Sequence, residues 1–300
     1  ISEQCFKECT FLRTVIIGNN VTSIGTIAFS QCICLSKLTI GNSVQHIYSD
    51  AFYMCDQLET IVIPDSTTSI GNNAFYSCDN LTSITFGSGL KSVGQDAFRN
   101  CGKLEYLHIN DIASYCSVDY YNTYSTPKYY NKCNIYLNGN LLEELIIPEE
   151  VTKIGSYAFY NCDALKSVTI PNTVKTISEN AFGDCGNITE IYVPGVNNSD
   201  YTTSIGASAF ASCTKLSQVV IGERVSSIGA KAFYNCNILQ KFYSKATTPP
   251  SLGTNVFYGS NGYTIGTEIY VPAEAAETYK GAQNWRDYSN YIKGYIPVVF

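Results

Sequence analysis

Residues 81–101, LTSITFGSGLKSVGQDAFRNC, combine two short apolar stretches, a glycine and an Ala-Phe pair closed by cysteine, and the same order returns along the whole chain. Phe6, Phe29, Phe52, Phe75 and Phe98 are each 23 residues apart, and Phe159, Phe182, Phe210, Phe233 and Phe257 follow at 61, 23, 28, 23 and 24. The longer intervals are one repeat plus 38, 5 and 1 residues. Around each Phe the register holds, with Ile five before it (Ile24, Ile70, Ile154, Ile205, Ile228), Gly next, Ala immediately before and Cys three after. Ile1 takes the Ile position with Ser2 in place of Gly, so the chain is expected to start inside a turn, without its amino-terminal cap.

Each unit reads as one coil. Ile61 and Ile63 alternate with Thr60 and Val62, which puts the isoleucines on the inner face of a short strand. Pro64, Pro171, Pro194 or a Gly stops it. A second extended piece carries Val21 and Ile24, or Val225 and Ile228, inward, and the following Gly is expected to permit a turn. The AFxxC piece fits a short helical or 3₁₀ turn. Because no single unit of this length buries its own apolar face, the units must stack. The expected fold is a right-handed solenoid of about 11–12 turns with short parallel β-strands.

These residues resemble the BspA-like leucine-rich repeat family, whose pattern is LxxIxIPxxVxxIGxxAFxxC. LETIVIPDSTTSIGNNAFYSC and LKSVTIPNTVKTISENAFGDC carry the likeness, which extends over most of residues 1–260. It implies a leucine-rich-repeat solenoid in a secreted or surface-attached protein with adhesive or ligand-binding roles and no catalysis in the repeats. Departures are Tyr48 and Ser178 for Gly, Thr67 and Thr202 for Val, and Ser260 for the last Cys.

Composition agrees with a binding protein and narrows its partners. Among 300 residues, 19 Lys and Arg stand against 25 Asp and Glu, 19 − 25 = −6, which argues against nucleic acid or an anionic membrane as partner. No apolar run reaches the length of a membrane helix. The two histidines, His46 and His108, lack the neighbours of a triad or an HExxH motif, and no GxSxG or GxxxxGK[ST] occurs. No enzyme, cofactor or metal is expected. Nine cysteines, Cys9, Cys32, Cys55, Cys78, Cys101, Cys162, Cys185, Cys213 and Cys236, form one column, expected to be buried and reduced because free Cys packs as a small hydrophobe. Cys116 and Cys133 are the one pair for which a stapling disulfide is considered.

Two regions break the repeat. Residues 111–134 hold Tyr115, Tyr120, Tyr121, Tyr124, Tyr129 and Tyr130, and Asn138-Gly139 then sits between apolar runs, the signal of a type I′ hairpin. The reading is a degenerate turn, a surface loop, and a hairpin whose second strand spans 142–147. The division is a first repeat array over 1–110, an irregular Tyr-rich insert ending in the hairpin over 111–140, a second array over 141–262, and a carboxyl-terminal strand and capping helix over 263–300, in one continuous solenoid. Tyr279, Trp285 and Ile292 of the amphipathic stretch AEAAETYKGAQNWRDYSNYI are expected to cover the end of the stack.

The outward column of the main sheet contains Ile16, Thr39, Val62, Thr85, His108, Ile146, Thr169, Tyr192, Val220, Tyr243 and Tyr270, with Tyr106 beside His108. Thr and Val are ordinary strand residues, whereas an exposed row of tyrosines offers contact area to a ligand. The candidate binding residues are therefore Tyr106, His108, Tyr120, Tyr121, Tyr124, Tyr192, Tyr243 and Tyr270, the loop tyrosines forming a second wall if the insert projects beside the sheet. Ordinary sheet surface is the alternative. The expected partner is a protein of a host or neighbouring cell met by a secreted or cell-surface monomer, or a glycan captured by the tyrosines. A signal or anchor is expected upstream.

Overall fold

The computed structural model describes residues 1–128, 133–196, 201–259, 261–262 and 264–296; Tyr129, Tyr130 and Ser260 lie outside them. About 12 turns of parallel-strand solenoid fall into two compact units, Ile1–Leu142 and Glu143–Phe300. Each unit is built from the same coil.

In the first unit the strands of the main face pair in two sheets, Thr14–Ile16 with Lys37–Thr39, and Thr60–Val62, Ser83–Phe86, Tyr106–Ile109 and Asn134–Leu137 in succession, all parallel. A second parallel ladder runs through Ser23–Ile24, His46–Ile47, Ser69–Ile70, Ser92–Val93 and Asp119–Tyr120. In the second unit the main ladder pairs Glu144–Ile146 with Ser167–Thr169, and Glu190–Val193, Gln218–Ile221, Lys241–Ser244, Glu268–Pro272 and Ile292–Tyr295 in succession. Its second ladder runs from Lys153–Ile154 to Ser251–Leu252. Partners are related by the repeat, so Ile61 meets Ile84, and Ile84 meets Leu107.

The AFxxC piece differs from the helical turn expected. Local i→i−3 bonds are present, from Ala28 N to Gly25 O, Ser30 N to Ile27 O and Cys32 N to Phe29 O, but the residues between them, Ile27, Phe29 and Gln31, donate to Ser49, Ala51 and Tyr53 of the next coil. Ile27 and Gln31 have φ of 60° and 61°, and the same two positions are left-handed around Phe52, Phe75, Phe98, Phe159, Phe182, Phe210 and Phe233. Left-handed residues prevent a helix from propagating and turn alternate N–H groups along the stack, which makes this piece a third hydrogen-bonded wall. The same positions hold Asp50, Asn73, Asp96, Asn100, Asn161, Asn180, Asp184 and Asn235, the residue types that tolerate this region best.

The repeat glycine also has a different cause from the one expected. Gly71 has ordinary backbone geometry, but a Cβ on it would lie 2.5 Å from Ser49 N, and one on Gly229 would lie 2.4 Å from Ala207 N. Close approach of successive coils, not turn conformation, requires glycine there.

The phenylalanines form two buried stacks. Phe29, Phe52, Phe75 and Phe98 follow at centroid distances of 5.3, 5.3 and 5.5 Å, and Phe159, Phe182, Phe210 and Phe233 at 5.2, 5.4 and 5.5 Å, all within 6° of parallel. Beneath them the thiols of Cys32, Cys55, Cys78, Cys101, Cys185, Cys213 and Cys236 each donate to the carbonyl of the preceding coil's Phe, as Cys55 Sγ does to Phe29 O at 3.3 Å and Cys236 Sγ to Phe210 O at 3.1 Å. A small apolar group with one weak donor satisfies that carbonyl without a cavity. Cys9, the first column member, is exposed and so departs from the buried reading. Cys116 and Cys133 are buried thiols and are not joined to one another.

Where Val is replaced, Thr67 is fully buried and its hydroxyl donates to Val44 O at 2.7 Å. In the long coil the buried residue is Thr203, not Thr202. A register shift beside Ser204 pairs Thr203 with Val225, and the Thr203 hydroxyl donates to Val174 O at 2.7 Å.

The insert is a coil more than a loop. A short helix, Ile112–Cys116, capped by Asp111, leads to Asp119–Tyr120, which joins the second ladder with Tyr120 opposite Val93. Phe98 N then bonds Tyr124 O as earlier Phe residues bond Ala. The Asn138-Gly139 hairpin is present, with φ of 50° and 82°, but its second strand is Asn140–Leu141 at the sheet edge. The segment expected to form it contains instead Glu144–Ile146, which pairs with Ser167–Thr169.

The carboxyl end is not one amphipathic helix. A 3₁₀ turn at Ala273–Ala275, a helix at Ala276–Gly281 and a second 3₁₀ segment at Trp285–Tyr291 precede Ile292–Tyr295, which adds a final strand beside Glu268–Pro272. Pieces this short let Tyr279 and Trp285 reach the core separately. Both are fully buried; the indole N–H donates to Pro250 O at 2.7 Å and the Tyr279 hydroxyl to Ala246 O at 2.9 Å.

Candidate functional site

Strand alternation buries Leu107 and Ile109 and leaves Tyr106 and His108 outward in the first unit. Their rings are near parallel, 6.3 Å apart. The register places Tyr136 opposite His108, with its ring 5.4 Å from His108 and 5.7 Å from Tyr106. Tyr136 is a member the sequence reading missed, because it took this strand for a hairpin arm instead of a member of the ladder. Alternation in IYLNG was the available signal.

Of the loop tyrosines, Tyr121 is exposed. Tyr120 is not a surface residue: it fills the inward ladder position, is 2% exposed, and packs with the equally buried Tyr115, their hydroxyls 3.4 Å apart. Buried Lys128 donates to the Tyr115 hydroxyl at 3.1 Å and sits over both rings. Tyr124 is half-buried beneath the Arg99 guanidinium, 4.8 Å from its ring centre, while Arg99 pairs with Asp96 at 3.3 Å. Tyr115 and Tyr120 are thus core residues and cannot be part of an exposed aromatic wall.

In the second unit Tyr192, Val220, Tyr243 and Tyr270 occupy one register across four parallel strands. Tyr243 and Tyr270 stack at 4.8 Å, and Tyr295 meets Tyr243 edge-on at 6.2 Å. Charged neighbours frame them. The Tyr270 hydroxyl donates to Glu268 at 2.8 Å, and Lys293 pairs with the same carboxylate while lying over the Tyr270 ring at 5.8 Å. Hydrogen bonds from Lys293 and then Tyr270 pull the Glu268 carboxyl below its usual range, and the bond to Glu268 raises the Tyr270 hydroxyl above its own.

At the end of this row Tyr192 is 47% exposed, with Lys245 Nζ 5.1 Å from its ring centre. Both border a groove of about 390 Å³ shared with Asn172, Pro194, Glu223 and Arg224. Two glycines shape it. Gly195 has φ +75°, and a Cβ on Gly222 would lie 1.7 Å from Pro194 O.

Among the described residues no group of three His, Cys, Asp or Glu side chains is disposed to hold a metal, and no helix is long and apolar enough to cross a membrane. The first face presents the rings of Tyr106, His108 and Tyr136, and the second presents tyrosine rings framed by Glu268 and Lys293.

The model of the BspA type leucine rich repeat region, a family description spanning six copies, matches residues 1–125 and 132–264. The chain belongs to this family. The BspA-type coil accounts for the Leu, Ile, Ala-Phe and Cys columns of the repeat. The structure is similar to that of the pneumococcal vaccine antigen PcpA, with a TM-score of 0.52 at 19% identity over 100% of this chain and 71% of that one, a likeness of fold. A leucine-rich repeat protein from Bacteroides ovatus matches at a TM-score of 0.41 and 21% identity, over 98% of this chain and 87% of that one. A leucine rich cell surface protein from Faecalibacterium prausnitzii matches at 0.40 and 21%, over 81% and 82%. No curated relative matches the chain.

Proposed function

We propose that this BspA-type repeat protein is a non-catalytic extracellular binding module that recognises a protein of a host or neighbouring cell through its outward sheet faces. The observation that carries this reading is the ring row on the second unit, where Tyr243 and Tyr270 stack in strand register on a parallel ladder. Tyrosines held this way offer large amphipathic contact area at small entropic cost, the property that enriches them in protein interfaces. Tyr243 and Tyr270 are both half-buried. Placement in the secreted or cell-surface fraction is part of the same proposal, in keeping with a pneumococcal protein of the same fold being described as a vaccine antigen. The test is surface plasmon resonance of the intact chain against purified host matrix and cell-surface proteins. A partner bound by the intact chain is expected to lose about tenfold or more in affinity on Tyr243→Ala/Tyr270→Ala, the size of one interface hot spot. Unchanged affinity would refute use of this face.

A further inference from the structure

The ring cluster on the first unit differs from the rings of Tyr192 and Tyr270 in what lies over it. In the second unit Lys175 Nζ lies 3.4 Å from the ring centre of Tyr201, Lys245 Nζ 5.1 Å from that of Tyr192 and Lys293 Nζ 5.8 Å from that of Tyr270. In the first unit Arg99 lies over Tyr76 and Tyr124. The chain supplies these rings with cations of its own. Among the described residues no Lys or Arg lies over Tyr106 or Tyr136.

The strand register explains the difference. Tyr106 is flanked by Ser83 and Asn134, His108 by Thr85 and Tyr136, and Tyr136 by Leu141 across the hairpin. Ser83, Thr85, Asn134 and Leu141 carry no charge, so the ladder brings no cation to the rings. The charged residue next to Tyr106 along the chain is Glu105, which is exposed, and the chain as a whole is −6. The face of a tyrosine ring is its electron-rich side and attracts a cation within about 6 Å of the ring centre. Tyr106 and Tyr136 have centroids 5.7 Å apart and planes tilted by 40°, so one flat cation set against the pair falls within that reach of both. Tyr106 is 40% exposed, and the pair is braced by the His108 ring, 5.4 Å from Tyr136. Two tilted rings side by side on a ladder form an open wedge. That shape suits a planar guanidinium, which stacks on rings and sheds water more readily than a compact ammonium.

We propose that Tyr106, His108 and Tyr136 form a docking point for an arginine side chain of a basic protein segment, with the guanidinium on the two tyrosine rings and Glu105 adding attraction at longer range. This deepens the protein-binding reading and rests on it for the partner being a protein. It gives the first unit a chemistry distinct from that of Tyr243 and Tyr270, where Lys293 of the chain itself already supplies the cation.

The experiment follows the imidazole signals of the intact chain by proton–carbon correlation NMR during titration with the end-blocked peptide Gly-Arg-Gly-Arg-Gly, and with the same peptide carrying lysine, citrulline or leucine in place of arginine. The chain has two histidines, and His46, on the second ladder, is the internal control. The arginine peptide is expected to shift His108 saturably and leave His46 in place. Its affinity should exceed that of the citrulline peptide, the neutral planar isostere, about fivefold and that of the lysine peptide about threefold. The preference over lysine should survive added salt, since the two peptides carry equal charge and share whatever long-range attraction the salt screens. Tyr106→Leu and Tyr136→Leu, each at an outward position, should bring arginine down to the level of citrulline. Equal affinity for arginine and citrulline, tighter binding of the leucine peptide, a His46 shift as large as that of His108, or no shift of His108 with any peptide would overturn the proposal. All four are read on the unaltered chain and depend on no variant folding. A protein partner that binds through Tyr243 and Tyr270 while arginine fails at His108 sinks this site and leaves the broader reading standing; arginine binding at His108 with no partner for the second face does the reverse.

Discussion

Phe75→Ala tests how the solenoid distributes its stability. The side chain is fully buried between Phe52 at 5.3 Å and Phe98 at 5.5 Å, parallel to both. Truncating a buried Phe costs about 3–5 kcal/mol through lost transfer energy and the cavity left behind. Removing one ring from the middle of a stack also breaks two ring pairs, each worth about 0.5–1.5 kcal/mol beyond area, so the upper part of the range, about 4–5 kcal/mol, is expected. Phe6 provides the internal comparison: it is 40% exposed and stacks on Phe29 at 5.0 Å, and Phe6→Ala should cost below about 2 kcal/mol, a partly exposed site leaving little cavity. Urea unfolding of both variants gives the difference. Hydrogen exchange by mass spectrometry gives its location, since in a one-dimensional stack each coil depends mainly on its neighbours. Protection should fall first around Phe52, Phe75 and Phe98, where Phe52 N bonds Ala74 O and Phe75 N bonds Ala97 O. Equal cost for the two substitutions, or a uniform loss of protection through the first unit, would refute the reasoning.

Gly71→Ala places a Cβ 2.5 Å from a backbone nitrogen and should destabilise by about 2 kcal/mol or more, whereas Gly18→Ala, with nothing within 4 Å, should change stability by less than about 0.5 kcal/mol; equal midpoints in urea would contradict the close-approach explanation. Burial raises the Cys32 thiol to about 11 and the Cys236 thiol to about 12 from an ordinary 9.0, and the Tyr279 and Tyr288 hydroxyls to about 12 from 10.0. Because the folded values lie above the unfolded ones, this stability is complete below about pH 9 and is lost as pH rises toward 11–12; a thermal midpoint that stays level from pH 8 to about 10.5 would contradict it. In native thiol labelling near neutral pH, Cys5 and Cys9 should react promptly and the buried column only on unfolding, and prompt reaction of Cys55 or Cys213 would show the column open.

The repeat made the coil legible, because a 23-residue spacing of Phe, Cys and Ile leaves one way to bury all three columns. What it hid were features set by contacts between coils. The left-handed positions were written in the Asp and Asn residues at 50, 73, 96 and 180, but periodicity of apolar residues is blind to a polar residue chosen for its backbone. Gly71 looked like a turn former since sequence does not show the backbone of the neighbouring coil 2.5 Å from an imagined Cβ. Tyr120 read as surface because tyrosines crowd an irregular stretch, yet its ladder position opposite Val93 faces the core. Tyr136 was overlooked for the converse reason, its strand having been assigned to a hairpin arm alone. The groove rests on the shape of one irregular coil, which the 28-residue spacing marked without describing.

Hydroxyl-radical footprinting of the tyrosines, read residue by residue with and without a bound protein partner, tests the binding face most directly. Tyr121 and Tyr192 should be oxidised rapidly in the unbound chain, and Tyr115, Tyr120, Tyr279 and Tyr288 slowly, in keeping with their burial. Partner binding should protect Tyr243 and Tyr270 and leave Tyr121 unchanged. Oxidation of Tyr120 as fast as that of Tyr121, or protection by the partner that spares both Tyr243 and Tyr270, would contradict the account.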